Sequence, residues 1–234
     1  MKTATNPPES ASGDTPSPAY RAMRYVWRRT GRPGLGALRR TARVARNVVM
    51  KRLSRPDYAR WTSPRGLEES WDERTRQIAK LVPAGARVIE FGAGRRQLER
   101  FLPLGCTYTP SDLVDRGPGT IVCDLNHRPL PVLSHLAPEV GVFGGVLEYL
   151  RDVPGLAQWL ADTGVRTCVA SFDPVPSGLG IVDRYRESIR RANNGYMNAL
   201  TEDQLLRAFE AAGFVCVERR TWTRQIILRL VSRR

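Results

Sequence analysis

Short β-branched runs alternate with segments of helical periodicity through most of the chain. Five such runs precede residue 173, at 86–90, 106–112, 119–124, 139–145 and 166–172. Strands that alternate with helices predict a parallel sheet covered on both faces. Two more runs, 215–222 and 224–231, follow a helix that opens with a capping box at Thr201 and Gln204. They predict an antiparallel pair at one edge of the sheet.

The first predicted strand runs directly into "EFGAG", which places Glu90, Gly92 and Gly94 at its carboxyl end. In open parallel sheets, ligands bind beyond this end of the strands. The glycines let the backbone approach a ligand closely, and the following helix offers unpaired N–H groups. A carboxylate here would repel a pyrophosphate, and Gln97 stands where a dinucleotide-binding loop needs its third glycine. The pattern therefore favours a ligand that carries positive charge.

Two further acids follow at matching places. Asp112 ends the second predicted strand, where a carboxylate can accept hydrogen bonds from ribose hydroxyls, and Asp124 ends the third, where it can accept from an adenine amino group. Three strand ends with one acid each suit a nucleoside that bears a cationic side chain.

At these positions the sequence resembles the class I S-adenosylmethionine-dependent methyltransferases, over about residues 70–231. The matching segments are "VIEFGAG", "SDLV", "VCDLN" and "GGVLEYL", and "NALTEDQLLRAFEAAGF" is similar to the small-molecule branch. The resemblance implies S-adenosylmethionine as cofactor. It implies that the methionine part lies against Glu90, Gly92 and Gly94, and the ribose against Asp112. The adenine would contact Asp124 and Leu125, and Gly145 and Val146 would form the floor beside the sulfonium. Leu113 is a further predicted cofactor contact. Trp71, before the first strand, is predicted to border the same pocket.

Pattern and resemblance together predict an α/β fold, a Rossmann-like three-layer sandwich. Its sheet is expected to be mostly parallel and seven-stranded with an antiparallel edge strand, and a basic helical N-terminal extension precedes it. We predict a disordered tail over 1–20, the basic helical extension over 21–66, and a methyltransferase domain over 67–234. Residues 173–200 look long and irregular, which suits a substrate lid.

Charge is concentrated in the extension. Residues 21–66 carry 14 basic side chains and one acid, Asp57, of a net charge of +14 for the chain. The segment 37–53 has the period of a basic amphipathic helix. Three roles are open for the basic extension: its charged face is simply solvated, it binds RNA phosphates, or it contacts an anionic membrane surface.

The catalytic and substrate residues are expected near the mouth of the pocket. His127 and Asp173 are the candidates for a general base. Glu148 is interpreted as a helix-start residue, with a catalytic acid as the alternative, and His135 as packing in an apolar helix. Substrate contacts are predicted for residues of the lid and its surroundings: Tyr149, Asp183, Tyr185, Asn194 and Tyr196. No metal site is predicted, and the four cysteines are interpreted as buried and structural.

The leading hypothesis is methyl transfer to an oxygen, or in second place a nitrogen, of a small molecule or saccharide. One alternative is an RNA methyltransferase that uses the basic extension. Another is a non-catalytic interaction protein on a methyltransferase scaffold. The N-terminal residues lack the apolar stretch of a secretory signal, so we expect a cytoplasmic protein, with a peripheral position at the membrane left open.

Overall fold

The computed structural model describes residues 42–43, 45–49, 61–63 and 69–233. The chain divides into two units, Met1–Arg43 and Val44–Arg234, and the second contains the sheet and the site. The predicted tail 1–20 and most of the predicted extension 21–66 lie outside the described residues. Within the extension, residues 45–49 are helical, as the amphipathic pattern predicts.

Seven strands of the described residues form one sheet in the order β3-β2-β1-β4-β5-β7-β6. Their bounds are β1 Arg87–Phe91, β2 Thr107–Asp112, β3 Ile121–Val122, β4 Val140–Gly144, β5 Thr167–Phe172, β6 Phe214–Trp222 and β7 Gln225–Ser232. The first five strands are parallel, and β7 is antiparallel to both β5 and β6. The predicted seven-stranded, mostly parallel sheet is confirmed. The antiparallel strand lies one place inside the edge, with β6 outermost.

Besides the helical residues 42–43, 45–49 and 61–62, the described part of the chain has five α-helices around the sheet. Their bounds are α1 Asp72–Ala79, α2 Gln97–Phe101, α3 Val153–Asp162, α4 Ile181–Asn194 and α5 Glu202–Ala211, and short 3-10 helices span Glu69–Trp71 and Leu147–Tyr149. The predicted capping box begins α5: Gln204 N donates to Thr201 Oγ1 at 3.3 Å, and Thr201 N donates to Gln204 Oε1 at 2.9 Å. No helix in the described part of the chain has the length and apolar character that crossing a membrane requires.

Two hydrophobic cores lie on opposite faces of the sheet. The first contains α3 and α5, and the second contains α1 and α2. Successive side chains of β1 point to opposite faces of the sheet, so this strand contributes to both cores. Val88 lies in the second core, while Ile89 and Phe91 lie in the first. The predicted three layers therefore form because β1, β4, β5 and β7 each bury apolar side chains on both faces of the sheet.

Two local predictions were wrong. The run 119–124 forms a strand only at Ile121–Val122, the two residues that pair with β2 at the edge of the sheet. Only one of the four cysteines, Cys168, is buried, while Cys216 is exposed at the outer strand β6. A β-branched run at the edge of a sheet has one face in water, so it does not bury every thiol it contains.

Candidate functional site

A cavity of about 340 Å³ opens beyond the carboxyl ends of β1, β2 and β4. Its volume lies in the range of small-molecule sites. The ten residues predicted to bind the cofactor all line it: Trp71, Glu90, Gly92, Gly94, Asp112, Leu113, Asp124, Leu125, Gly145 and Val146. Residues from distant parts of the chain meet here because parallel strands end at one edge of the sheet.

The turn after β1 is built by backbone hydrogen bonds to β2. Gly92 N and Ala93 N donate to Ser111 O at 2.8 and 3.0 Å, and Gly94 N donates to Asp112 Oδ2 at 2.8 Å. Gly92 has a φ of 73°, and a Cβ placed there would lie 2.4 Å from Val146 Cγ2. Gly92 is therefore required by contact with the turn after β4, in addition to any close approach of a ligand.

Glu90 is a buried carboxyl. The Tyr108 hydroxyl donates to Glu90 Oε2 at 2.6 Å, and burial raises the pKa of Glu90 to about 8. The guanidinium of Arg74 acts in the opposite direction, but no ion pair within 4.0 Å joins Glu90 to another described residue. A cationic ligand group beside Glu90 would stabilise its ionised form.

Asp112 is already engaged. Arg116 Nε lies 3.1 Å from Asp112 Oδ2, and Arg116 Nη2 donates to Asp112 Oδ1 at 3.3 Å. The same Nη2 donates to the carbonyl of Trp61 at 2.6 Å. A ribose at Asp112 would therefore share this carboxylate with Arg116.

Asp124 holds the turn after β3. Its Oδ1 accepts from Asn126 N at 2.9 Å, and its Oδ2 contacts His127 Nδ1 at 2.7 Å. The imidazole of His127 is mostly exposed and does not line the cavity. The structure thus places this candidate base behind the acid rather than in the cavity wall.

Sequence reasoning missed two buried charged residues that line the cavity. Arg74 donates to Gly144 O at 3.1 Å and to Gln225 Oε1 at 3.2 Å, while its Nε has no hydrogen-bond partner among the described residues. Burial lowers the pKa of Arg74. Its place four residues before the buried Ile78, on the same face of α1, is the signal that could have indicated it.

Glu148 is the second. It lies in the first turn of the 3-10 helix Leu147–Tyr149, and its carboxyl is buried. Asp173 N donates to Glu148 Oε1 at 2.7 Å. Glu148 is therefore at the start of a helix, as interpreted, and it is also buried in the wall of the cavity.

Three aromatic rings form one wall of the cavity. The rings of Trp61 and Tyr149 meet edge to face with centroids 5.1 Å apart, and those of Tyr149 and Tyr196 do so at 5.3 Å. Tyr149 and Tyr196 were predicted substrate contacts, and so was Asn194, which also lines the cavity. This wall suits a planar or apolar portion of a ligand.

Three other predicted residues are not brought to the cavity. Asp173 is buried and binds Arg190 through both oxygens, at 2.7 and 3.1 Å, and it accepts from the Tyr196 hydroxyl at 3.2 Å. A carboxylate held in this way is a structural anion, so the prediction of Asp173 as a base in the pocket is corrected. Asp183 and Tyr185 are exposed on α4 and do not line the cavity either.

The predicted irregular lid is instead largely helical. Residues 181–194 form α4, which ends at Gly195 in the left-handed conformation. Its pairs of opposite charge at helical spacing, such as Arg186–Asp183 and Arg190–Glu187, support a helix that lacks an inward apolar stripe. His135, predicted to pack in a helix, is exposed in a turn.

The described residues contain no cluster of histidine, cysteine and acidic side chains that could hold a metal ion. No protein-family model matches the chain, and no curated protein matches it either.

Solved structures do match. Human N-acetylserotonin methyltransferase in complex with SAM is 12% identical with a TM-score of 0.56, and the match covers 86% of this chain and 68% of that one. CalO1, a methyltransferase in calicheamicin biosynthesis in its SAH-bound form, is 16% identical with a TM-score of 0.52. That match covers 71% of this chain and 55% of CalO1, so the chain spans little more than half of its length.

The [4+2]-cyclase SpnF also matches, with 13% identity and a TM-score of 0.53 over 69% of this chain and 80% of that one. These likenesses show that the chain has the fold of the class I S-adenosylmethionine-dependent methyltransferases. Because a cyclase shares it, the activity has to be argued from the site.

Proposed function

We propose that the chain is an S-adenosylmethionine-dependent methyltransferase that acts on a hydroxyl oxygen of a small molecule or saccharide. The observation that carries the proposal is that Glu90, Asp112 and Asp124 line one cavity beyond the carboxyl ends of β1, β2 and β3. Neighbours of the same fold, described as SAM- or SAH-bound methyltransferases, support it.

The cavity residues fit the cofactor group by group. Glu90 is a buried acid without an ion-pair partner among the described residues, which suits the ammonium or sulfonium charge. Arg74 has a buried Nε without a hydrogen-bond partner among those residues, which suits a carboxylate. Asp112 and Asp124 offer acceptors for the ribose and the adenine amino group, and Leu113 and Leu125 offer apolar contact.

When bound, the cofactor supplies an electrophilic methyl group, so the protein's main task is to position the acceptor. The aromatic wall of Trp61, Tyr149 and Tyr196 would hold that acceptor against the cavity. We propose His127, whose Nδ1 contacts Asp124 Oδ2 outside the cavity wall, as the group that receives the acceptor's proton.

Calorimetric titration with S-adenosylhomocysteine tests the cofactor assignment. We expect saturable binding by the full chain, and a loss of roughly tenfold or more in Asp112→Asn, which removes the charge from the ribose acceptor. Glu69→Gln, at an exposed residue outside the cavity, is the matched control. A chain that melts cooperatively but binds no S-adenosylhomocysteine would overturn the proposal.

The acceptor is tested with S-adenosylmethionine labelled at the methyl group and a panel of phenols, catechols and sugars. Incorporation of label into a hydroxyl compound supports oxygen transfer, and incorporation only into amines assigns nitrogen instead. The RNA and non-catalytic hypotheses stay predictions, since the basic residues on which they depend lie mostly outside the described part of the chain.

A further inference from the structure

Helix α4 exposes its apolar side chains. Ile181, Val182, Tyr185 and Ile189 have 86%, 61%, 67% and 41% of their surface accessible. Residues 181, 185 and 189 recur at helical spacing with Val182 beside them, so they form one continuous stripe on one side of α4. We call these four residues the α4 stripe.

The polar side of the same helix faces the protein. The buried residues of α4 are Glu187 and Arg191, the reverse of an ordinary surface helix. Glu187 binds Arg190 at 2.6 Å and Arg224 of the β6–β7 turn at 3.3 Å. Arg191 donates to Asp173 O at 2.9 Å and to Asn198 O at 3.1 Å.

This ionic attachment fixes the orientation of α4. Arg190 adds two bonds to the buried carboxylate of Asp173, at 2.7 and 3.1 Å. Rotating the helix to bury the stripe would leave Asp173 and Glu187 as buried charges without their arginine partners, which is strongly unfavourable. The apolar stripe is therefore held outward by the contacts on the other side.

Arginines border the stripe. At 100° per residue, Arg184 and Arg186 fall on its two margins, whereas the acids Asp183 and Glu187 fall on the opposite side. Arg184 donates to Leu179 O at 3.0 Å, and Arg186 binds Asp183 Oδ1 at 3.2 Å. The outer surface of α4 thus combines apolar side chains with positive margins.

The helical residues 45–49 contact the last turn of α4 through Asn47. Asn47, in the helical residues 45–49, donates to Ala192 O at 2.8 Å and to Asn193 O at 3.2 Å, at the last turn of α4. Its neighbours Val48 and Val49 are exposed apolar residues.

We propose that the α4 stripe, with Val48 and Val49, docks on the surface of an anionic lipid bilayer. Helices that lie in a membrane interface combine an apolar face with arginine and lysine at its borders. Anionic headgroups would neutralise Arg184 and Arg186, while the stripe enters the acyl boundary. A second copy of the same face would instead bring like-charged margins together.

Docking would also place the site next to the lipid. The cavity is lined by the last residue of α4, Asn194, and by the three residues that follow it, Gly195, Tyr196 and Met197. This consequence rests on the proposed function, whereas the docking itself does not.

The test is sedimentation of the full chain with vesicles. The probes are vesicles of phosphatidylglycerol with phosphatidylcholine, and vesicles of phosphatidylcholine alone. The variant Ile181→Ser/Tyr185→Ser removes two apolar side chains that are already exposed, so its fold is expected to persist. Leu104→Ser/Val132→Ser, at two exposed apolar residues outside α4, is the matched control.

We expect the wild type and the control to bind the phosphatidylglycerol vesicles, with binding weakened by added salt. The α4 variant should bind roughly tenfold or more weakly, from the lost burial of two apolar side chains. Absence of binding by the wild type, or equal binding by the α4 variant, would overturn the proposal.

Light scattering without vesicles distinguishes a second copy. A wild-type dimer that becomes monomeric in the α4 variant would assign the stripe to self-association and overturn membrane docking. Titration with S-adenosylhomocysteine keeps the two proposals separate, because vesicle binding without cofactor binding would contradict only the proposed function.

Discussion

The backbone N–H of Asp173 donates to Glu148 Oε1 at 2.7 Å, which joins the carboxyl end of β5 to the turn after β4. Gln225 Nε2 approaches the same oxygen at 3.4 Å. Oε2 of Glu148 is buried and has no hydrogen-bond partner among the described residues. Burial raises the pKa of Glu148 to about 7, against the opposing effect of its hydrogen bonds and of the Arg74 guanidinium. Glu148 thus titrates near neutrality in the folded protein.

Replacing Glu148 by Gln should change how stability depends on pH. The folded-state pKa of about 7 lies above the ordinary value of 4.5, so the folded state binds the proton more tightly than the unfolded state. The stabilisation from protonated Glu148 is therefore full below pH 4.5 and is lost as the pH rises through 7. Gln retains an acceptor for Asp173 N without a charge. We expect Glu148→Gln to gain stability relative to wild type as the pH rises, by on the order of 2 kcal/mol above neutrality.

Denaturant unfolding from pH 5 to pH 9 measures this difference. Glu90, whose pKa is raised to about 8, titrates in both proteins and cancels in the comparison. Glu69→Gln changes an exposed carboxyl and should leave the pH dependence unaltered. Parallel curves for wild type and Glu148→Gln would show that Glu148 is ionised throughout.

Replacing Arg116 by Gln should strengthen the binding of S-adenosylhomocysteine. Arg116 occupies both oxygens of Asp112, at 3.1 and 3.3 Å, in a largely buried ion pair. Without it, Asp112 is left as a buried charge that ribose hydroxyls can satisfy. We expect an affinity increase of roughly threefold to tenfold, together with a less stable ligand-free protein.

Calorimetry and thermal unfolding of the same samples check both parts of this prediction. Arg100→Gln is the control, because Arg100 is exposed on α2 and its Nη1 donates to Gln97 Oε1 of the same helix. Weaker binding in Arg116→Gln would mean that Arg116 positions Asp112 for the ligand rather than competing with it.

The sheet and the acids at its edge could be predicted from local sequence. β-branched runs of strand length fix β1, β2, β4 and β5, and a parallel sheet brings their carboxyl ends to one edge. Glu90, Asp112 and Asp124 then meet in one cavity without any further information. Their convergence follows from topology, so a single sequence was enough.

The burial of Arg74 and Glu148 in the cavity wall and the orientation of α4 do not follow from the topology of the strands. The burial of Arg74 and Glu148 depends on Gln225 and Asp173, which are distant in sequence. The periodicity of α4 describes an amphipathic helix, but which side faces the protein is decided by Asp173 and Arg224 outside the helix. Long-range ion pairs outweighed the usual burial of the apolar side.

Gly92→Ala and Gly85→Ala form a matched pair. Both glycines have a positive φ, 73° and 74°, but a Cβ on Gly92 would lie 2.4 Å from Val146 Cγ2, whereas one on Gly85 meets nothing within 4 Å. Backbone strain alone should cost about 1 kcal/mol in Gly85→Ala. The added overlap should bring Gly92→Ala to about 3 kcal/mol.

Urea unfolding of the two variants gives the comparison directly. Val146→Ala in the Gly92→Ala background removes the atom that the new methyl meets, and it should restore part of the lost stability. Equal costs for Gly92→Ala and Gly85→Ala would contradict the contact between the turns after β1 and β4.

Asn47 should attach the helical residues 45–49 to the end of α4. Its amide donates to Ala192 O at 2.8 Å and to Asn193 O at 3.2 Å, and its side chain is buried. Asn47→Ala removes both donors, at an expected cost of about 1–2 kcal/mol. Asn47→Asp removes them as well and places a carboxylate at the negative end of a helix, so it should cost more than Ala. Hydrogen exchange across residues 190–197, with thermal unfolding, should show faster exchange in the order wild type, Ala, Asp. If all three proteins exchange at the same rate, the segment is not anchored through this side chain.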